Sequence, residues 1–201
     1  MTTTTHKKSK NSRGAISAAV LVVSLLAAHT VQAKEIDLSF NYGYRQIQDE
    51  QLKPIYGSGS VFVPQLSFFL SPNFGLSAAY EAGFKKDGRI GAFRENSTLK
   101  IGGWEVSIVF RYPIRRFSGF VRIGAGYYGY KQDIDSPFPR FQVDHHGAAP
   151  LIGGGLEFRA TRGFYLAAEV KYIPFKVSPF DIEVDLSGLR ILFGLGYKIT
   201  L

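Results

Sequence analysis

His145 and His146 are the only histidines beyond position 33, and with Asp133, Asp135 and Asp144 they form the one stretch whose side chains could support acid–base or metal chemistry. Hydrolysis by a side-chain nucleophile needs that nucleophile, a base and an orienting carboxylate within mutual reach. Two residues after these histidines stand Gly147 and Ala148, so no His-x-Ser pairing is present. The same five residues could bind a metal by type, but their spacing matches no ligand motif, and a solvated loop explains them better. The chain has no cysteine, which excludes thiolate nucleophiles, cysteine metal sites and a disulfide framework. We therefore expect no enzyme, no cofactor and no metal site.

Charge gives a second route to function. The formal net charge is +8, yet Lys7, Lys8, Lys10 and Arg13 precede an apolar run from Ala15 to Ala28 and the small-residue pattern Val31-Gln32-Ala33. That order describes a secretory signal peptide over residues 1–33, its apolar run too short for a membrane-spanning helix of about 20 residues. Removing it leaves 20 basic against 16 acidic residues, a net of +4, over about 168 residues. Nucleic-acid binding loses its compositional support, and one domain, 34–201, is expected.

The elements that must position the remaining charges follow from a period of two. Ile36, Leu38, Phe40, Tyr42 and Tyr44 share one face. So do Phe62, Leu66, Phe68 and Leu70; Leu76, Ala78, Tyr80, Ala82 and Phe84; and Trp104, Val106, Ile108, Phe110 and Tyr112. Val121 to Tyr127, Ile152 to Phe158, Phe164 to Tyr172 and Ile191 to Leu201 complete eight segments. Leu99 and Ile101 lie in the opposite phase to Trp104, which predicts a bulge at Gly102-Gly103. Pro64 predicts a bulge or a rim position, because a closed sheet has no edge to hide its missing N–H.

The connections alternate. Short turns fall at Ser71-Pro72-Asn73, Pro113 to Phe117 and Thr161-Arg162-Gly163; long polar loops fall at 46–60, 86–97, 131–149 and 176–188. This asymmetry, with eight strands, describes an all-β, eight-stranded antiparallel up-and-down transmembrane barrel. The polar face decides which side is inside. It is rich in Gly, Ser and Ala and carries Glu35, Asp37, Arg45 and Lys198 besides Glu81, Lys85, Glu105, Arg111, Arg122, Glu157, Arg159, Glu169, Lys171 and Arg190. Small residues with nearly balanced charge suit a narrow interior, and those last ten are expected to form a lumenal polar network. Tyr44, Phe84, Trp104, Tyr127 and Tyr172 would form an outer aromatic belt, and Phe68, Phe110, Tyr112, Phe158, Phe164 and Tyr197 an inner one.

The whole stretch from Ile36 to Leu201 resembles the small eight-stranded outer-membrane barrels typified by the transmembrane domain of outer-membrane protein A and by outer-membrane protein W. The ending Gly194-Leu195-Gly196-Tyr197-Lys198-Ile199-Thr200-Leu201 is similar to the signal read by the barrel-assembly machinery, although most members end in Phe. The resemblance implies a monomer in a Gram-negative outer membrane, in contact with lipid and lipopolysaccharide. Three functions follow as expectations. A structural or surface-interaction role through four extracellular loops is preferred, because eight strands enclose a lumen that side chains can fill. A narrow passage for small, apolar molecules is the alternative, with Gly124, Gly126, Gly153, Gly155, Gly194 and Gly196 leaving space inside. Lipid A modification is the remote third, since the His-x-Ser arrangement resembling the deacylases is missing. Lys53, Lys86, Arg89 and Arg94 are expected to meet lipopolysaccharide phosphates, and Asp181, Glu183 and Asp185 to line one face of a protruding ribbon.

Overall fold

A strand that alternates apolar and polar residues must lie between two media, and the wall of this molecule does so over its whole circumference. The computed structural model describes residues 34–50, 52–91, 94–135, 141–178 and 184–201. The leader expected over 1–33 lies outside the described residues, as do Asp181 and Glu183. Eight long strands close into an antiparallel barrel: β1 (Glu35–Gln46), β2 (Ser58–Ser71), β3 (Phe74–Ile90), β4 (Glu95–Ile114), β5 (Phe117–Asp135), β6 (Phe141–Arg159), β7 (Phe164–Ile173) and β10 (Gly188–Thr200). One helical turn, α1 (Lys53–Tyr56), lies between β1 and β2, and β8 (Lys176–Val177) pairs with β9 (Val184–Asp185) between β7 and β10. The barrel closes where Ile36 meets Ile199 and Tyr44 meets Ile191. The eight-stranded up-and-down barrel read from the alternation is the fold.

Partners followed around the wall from Glu35 run through Phe69, Gly75, Val109, Arg122, Gly153, Lys171 and Arg190 back to Arg45, ten residues further along β1. A stagger of this kind tilts the strands and sets the bore. Outside, Leu38, Phe40, Phe62, Val106, Ile108, Val121, Ile123, Leu166, Phe193 and Leu195 are exposed in a continuous band. A band this large on a monomer marks contact with an apolar phase.

The turns fall where expected. Ser71 Oγ accepts from the Phe74 N–H at 3.1 Å, and Asn73 Nδ2 donates to the Arg111 carbonyl at 2.9 Å. Gly163, φ +91°, serves the turn between β6 and β7. At the opposite end much of two expected loops is strand. Residues 86–90 and 95–97 continue the β3–β4 ladder, Lys86 opposite Leu99 and Ile90 opposite Glu95, and β5 and β6 pair out to Ile134 and Phe141. Polar residues on both faces are compatible with a ladder once the hairpin rises into water, because neither face then needs an apolar phase.

The predicted bulge is on the other strand. β4 pairs with β5 without a break from Asn96–Asp135 to Ile114–Phe117. The register shifts instead in β3, between Glu81 and Phe84, where Gly83 has φ +90°. Leu99 and Ile101 differ in phase from Trp104 simply because they point into the barrel, buried with Glu105. The bulge reverses β3 beyond it, so Phe84 turns inward (1% exposed) and Lys85 turns outward. Both expectations for these residues are corrected together: Phe84 leaves the outer belt and Lys85 leaves the lumenal network. Seating a phenyl ring inside in place of an ammonium is the favourable exchange. Pro64 keeps its place opposite Phe40, while the β2–β3 bridges are interrupted between Phe62 and Gln65, so its missing N–H falls in a gap beside the bulge.

A side chain at Gly83 is strained by the backbone, not by crowding. Gly83→Val should lower barrel stability by about 1–3 kcal/mol, read from the urea midpoint of the heat-modifiable band on gels. Gly119→Ala, whose added Cβ would meet nothing within 4 Å, should leave that midpoint in place.

Candidate functional site

Inside the barrel the inward positions divide into two chemical zones. Toward the outer end they are apolar: Ile47, Val61, Val63, Phe84, Leu99, Ile101, Tyr128, Val143, Ile173, Phe175, Val177, Leu186 and Leu192 pack into one buried cluster. Tyr56 of α1 closes this end, donating to Ser97 Oγ at 2.7 Å and accepting from Gln132 Nε2 at 2.8 Å. The sequence reading missed this zone, since it took the inward phase of Leu99 and Ile101 for a bulge and placed Val143 in a loop.

Below it the lumen is charged. Arg190 lies between two carboxylates, paired with Glu81 and with Glu105 Oε1 at 2.7 Å. Glu81 also takes Arg45 Nη1 at 2.7 Å, and Glu105 takes Lys171 Nζ at 2.6 Å and the Tyr128 hydroxyl at 2.9 Å. Arg45 donates in addition to the Leu186 carbonyl at 2.9 Å, which ties the ion pairs to the apolar zone above. One level down, Arg122 Nε lies 2.8 Å from Glu169 and its Nη1 donates to Ser77 and Ser107. At the turn end, Arg111 pairs with Glu35 at 2.8 Å over the Phe69 ring, Lys198 pairs with Glu157 at 2.5 Å, and Tyr165 donates to Asp37. Six carboxylates thus face six bases inside the wall. An unpaired charge there would keep its desolvation cost, so each pair holds its partner in place.

Eight of the ten residues expected in the network are brought together: Glu81, Glu105, Arg111, Arg122, Glu157, Glu169, Lys171 and Arg190. Lys85 faces outward, and Arg159, although in the inward phase, is exposed at the turn-end mouth. The same phase put Arg45 inside, where it is fully buried beside Glu81.

Two of the lumenal glycines lie against inward tyrosine rings. A Cβ at Gly126 would stand 2.5 Å from the Tyr128 ring, and one at Gly196 would stand 2.2 Å from the Tyr165 ring. At these two positions the space expected from glycine is filled by tyrosine, whereas Gly124 faces the Val106 carbonyl and Ser107, and Gly194 faces Asn41.

The other candidates scatter. Asp144 Oδ1 lies 3.1 Å from His146 Nε2, and Asp133 accepts from Gln142 Nε2 at 2.8 Å and pairs with Lys100 at 3.5 Å. Among the described residues no three metal-ligating groups converge. Lys53 lies on α1, Lys86 turns inward beside Gly59, Arg89 faces outward, and Arg94 occupies the β3–β4 turn with φ 53°.

With this geometry in hand, comparison with known proteins is informative. A family model described as outer membrane protein beta-barrel domain matches residues 15–198. Among solved structures the chain is similar to OprG of Pseudomonas aeruginosa at 11% identity, covering 84% of this chain and 97% of that one with a TM-score of 0.68. It is similar to the N-terminal barrel of P. aeruginosa OprF at 12% identity, covering 83% and 98%, TM-score 0.53. It is also similar to Ail of Yersinia pestis, in complex with the heparin analogue sucrose octasulfate, at 18% identity, covering 82% and 98%, TM-score 0.56. No curated protein matches.

The ion-pair network makes a quantitative forecast. Glu105→Ala leaves Lys171 without its carboxylate and Arg190 with Glu81 alone, and should cost about 3–5 kcal/mol. Replacing Arg122 and Glu169 together by Met and Leu should cost much less than the sum of the single changes, a difference read from a double-mutant cycle in urea.

Proposed function

This chain belongs to the outer-membrane β-barrel family, and from that premise we propose that it is a sealed, monomeric barrel of the bacterial outer membrane whose work is done on its outward and extracellular surfaces. The observation that supports this reading is the occupied midsection of the lumen. Arg45, Glu81, Lys171, Arg190 and Tyr128 are each 0% exposed, and each is held by an ion pair, a hydrogen bond or a ring contact with another member of that group or with Glu105. A solute would have to break several charge-assisted contacts at once, each stronger than a neutral hydrogen bond. The lumen therefore serves as a rigid core, and recognition is left to the strands and turns that project beyond the membrane. The reading carries no catalytic step.

A second reading draws on the apolar zone of the outer half. Its lining of Leu99, Ile101, Phe175, Leu186 and Leu192 is the surface a small apolar molecule would prefer. Within that zone Tyr128, whose hydroxyl bonds Glu105, meets Phe175 at a ring separation of 5.4 Å, so passage would require the pair to part.

Planar-bilayer recording separates the two. The wild-type barrel should show no steady open-channel conductance, while Tyr128→Ala with Arg190→Ala should open one. Steady ion flux through the wild-type barrel, or its transfer of a small apolar solute across vesicles, would favour the passage and end the sealed reading.

A further inference from the structure

Register places three lysines in a line that no stretch of sequence contains. Lys85 on β3 lies opposite Lys100 on β4, and Lys100 lies opposite Lys131 on β5. All three are on the outward face, because the Gly83 bulge turns Lys85 out of the barrel and the inward neighbours Leu99, Ile101, Tyr130 and Gln132 are buried. Like charges directly opposite one another on adjacent strands are destabilising. Among the described residues only Lys100 of the three has an ion pair, with Asp133 at 3.5 Å, and both partners are about half exposed; Lys131 lies opposite Asp144 on β6, whose Oδ1 is 3.1 Å from His146 Nε2, so three bases face one acid along the row.

Directly beneath lies a row of aromatics. Tyr80, Trp104 and Tyr127 are cross-strand neighbours, Tyr80 and Trp104 with ring centroids 4.6 Å apart, and Tyr127 carries the His146 ring stacked on it. All three rings are exposed, as interfacial aromatics are. Four residues separate Trp104 from Lys100 on β4, about 13 Å along a tilted strand and roughly 10 Å in height. With the rings at the interface, the lysines stand further out, on its headgroup side. The next row outward, Asp87, Thr98, Asp133 and Gln142, is acidic and bonded within itself, Thr98 to Asp87 at 2.6 Å and Gln142 to Asp133 at 2.8 Å. Lys85, Lys100 and Lys131 thus form one cationic level, with Arg89 the next outward base on β3.

We propose that the outward face of β3 to β5 binds a phosphorylated glycolipid of the outer leaflet, its phosphates held by Lys85, Lys100 and Lys131 and its sugar–acyl boundary resting on Tyr80, Trp104 and Tyr127. An anionic headgroup over the row removes the repulsion that the bare ladder carries, and the rings add a flat apolar contact that a soluble anion could not use. This site deepens the surface role proposed above and rests on it.

Trp104 is the only tryptophan, so the site carries its own probe. The refolded barrel in zwitterionic detergent is titrated with bis-phosphorylated lipid A, with its dephosphorylated form, and with phosphatidylglycerol, reading Trp104 emission; heat-modifiable gel mobility confirms that each variant is folded. Saturable binding of the bis-phosphorylated lipid is expected, weakened at least about tenfold in the Lys85→Gln/Lys100→Gln/Lys131→Gln variant and restored by arginine at the same positions. Arg115→Gln with Arg116→Gln, at the opposite end, should leave binding unchanged. Equal affinity of the glutamine variant, or equal binding of the dephosphorylated lipid or of phosphatidylglycerol, would overturn the proposal. A conducting wild-type barrel with intact lipid binding would instead sink the sealed lumen alone.

Discussion

A charge enclosed by a closed wall has to be matched by another charge within the same wall. Water cannot reach the middle of this barrel to solvate Arg190, so Glu81 and Glu105 must lie beside it, and those two carboxylates in turn require Arg45 and Lys171. The residues come from β1, β3, β4, β7 and β10, so the pairing fixes the relative heights of most of the wall. A slip of one residue in any of these strands would turn its lumenal charge toward lipid and its apolar residues toward the network. Buried ion pairs give modest net stability, but breaking one is costly, and here that asymmetry specifies register.

The bulge at Gly83 is where the inside and the outside of the barrel are set against each other. Up to Glu81 the strand supplies a lumenal carboxylate; beyond Gly83 it supplies a lumenal phenyl ring, with Phe84 5.8 Å from the Arg45 guanidinium. One inserted residue ends the charged zone on this strand, begins the apolar one, and places Lys85 on the outer face beside Lys100. Bulges bend and re-aim a strand, and this one re-aims two side chains with opposite preferences in a single step.

Small residues and large rings are complementary in the lumen. Gly126 and Gly196 carry no side chain because Tyr128 and Tyr165 occupy the volume in front of them, and the hydroxyls of those tyrosines reach Glu105 and Asp37. At these two positions glycine is thus part of a filled interior. With the interior occupied, the surfaces that remain free to vary without disturbing the ion pairs are the outward face and the hairpins that extend beyond the membrane.

The sequence by itself determined the fold, because a period of two sustained through eight segments with alternating connection lengths admits few architectures, and the polarity of the inner face chose membrane over water. It also identified most of the lumenal charges, since alternation assigns each to a face without any knowledge of its partner. The ends of the hairpins and the bulge position were not legible, because a polar stretch in water loses the alternation that marks a strand, and a phase change between Glu81 and Trp104 can be placed on either of two paired strands. The tertiary structure alone decided which carboxylate meets which base, that tyrosine fills the space above glycine, and that Lys85, Lys100 and Lys131 form a row. These depend on register, which sums pairings around the whole circumference and is not contained in any single segment.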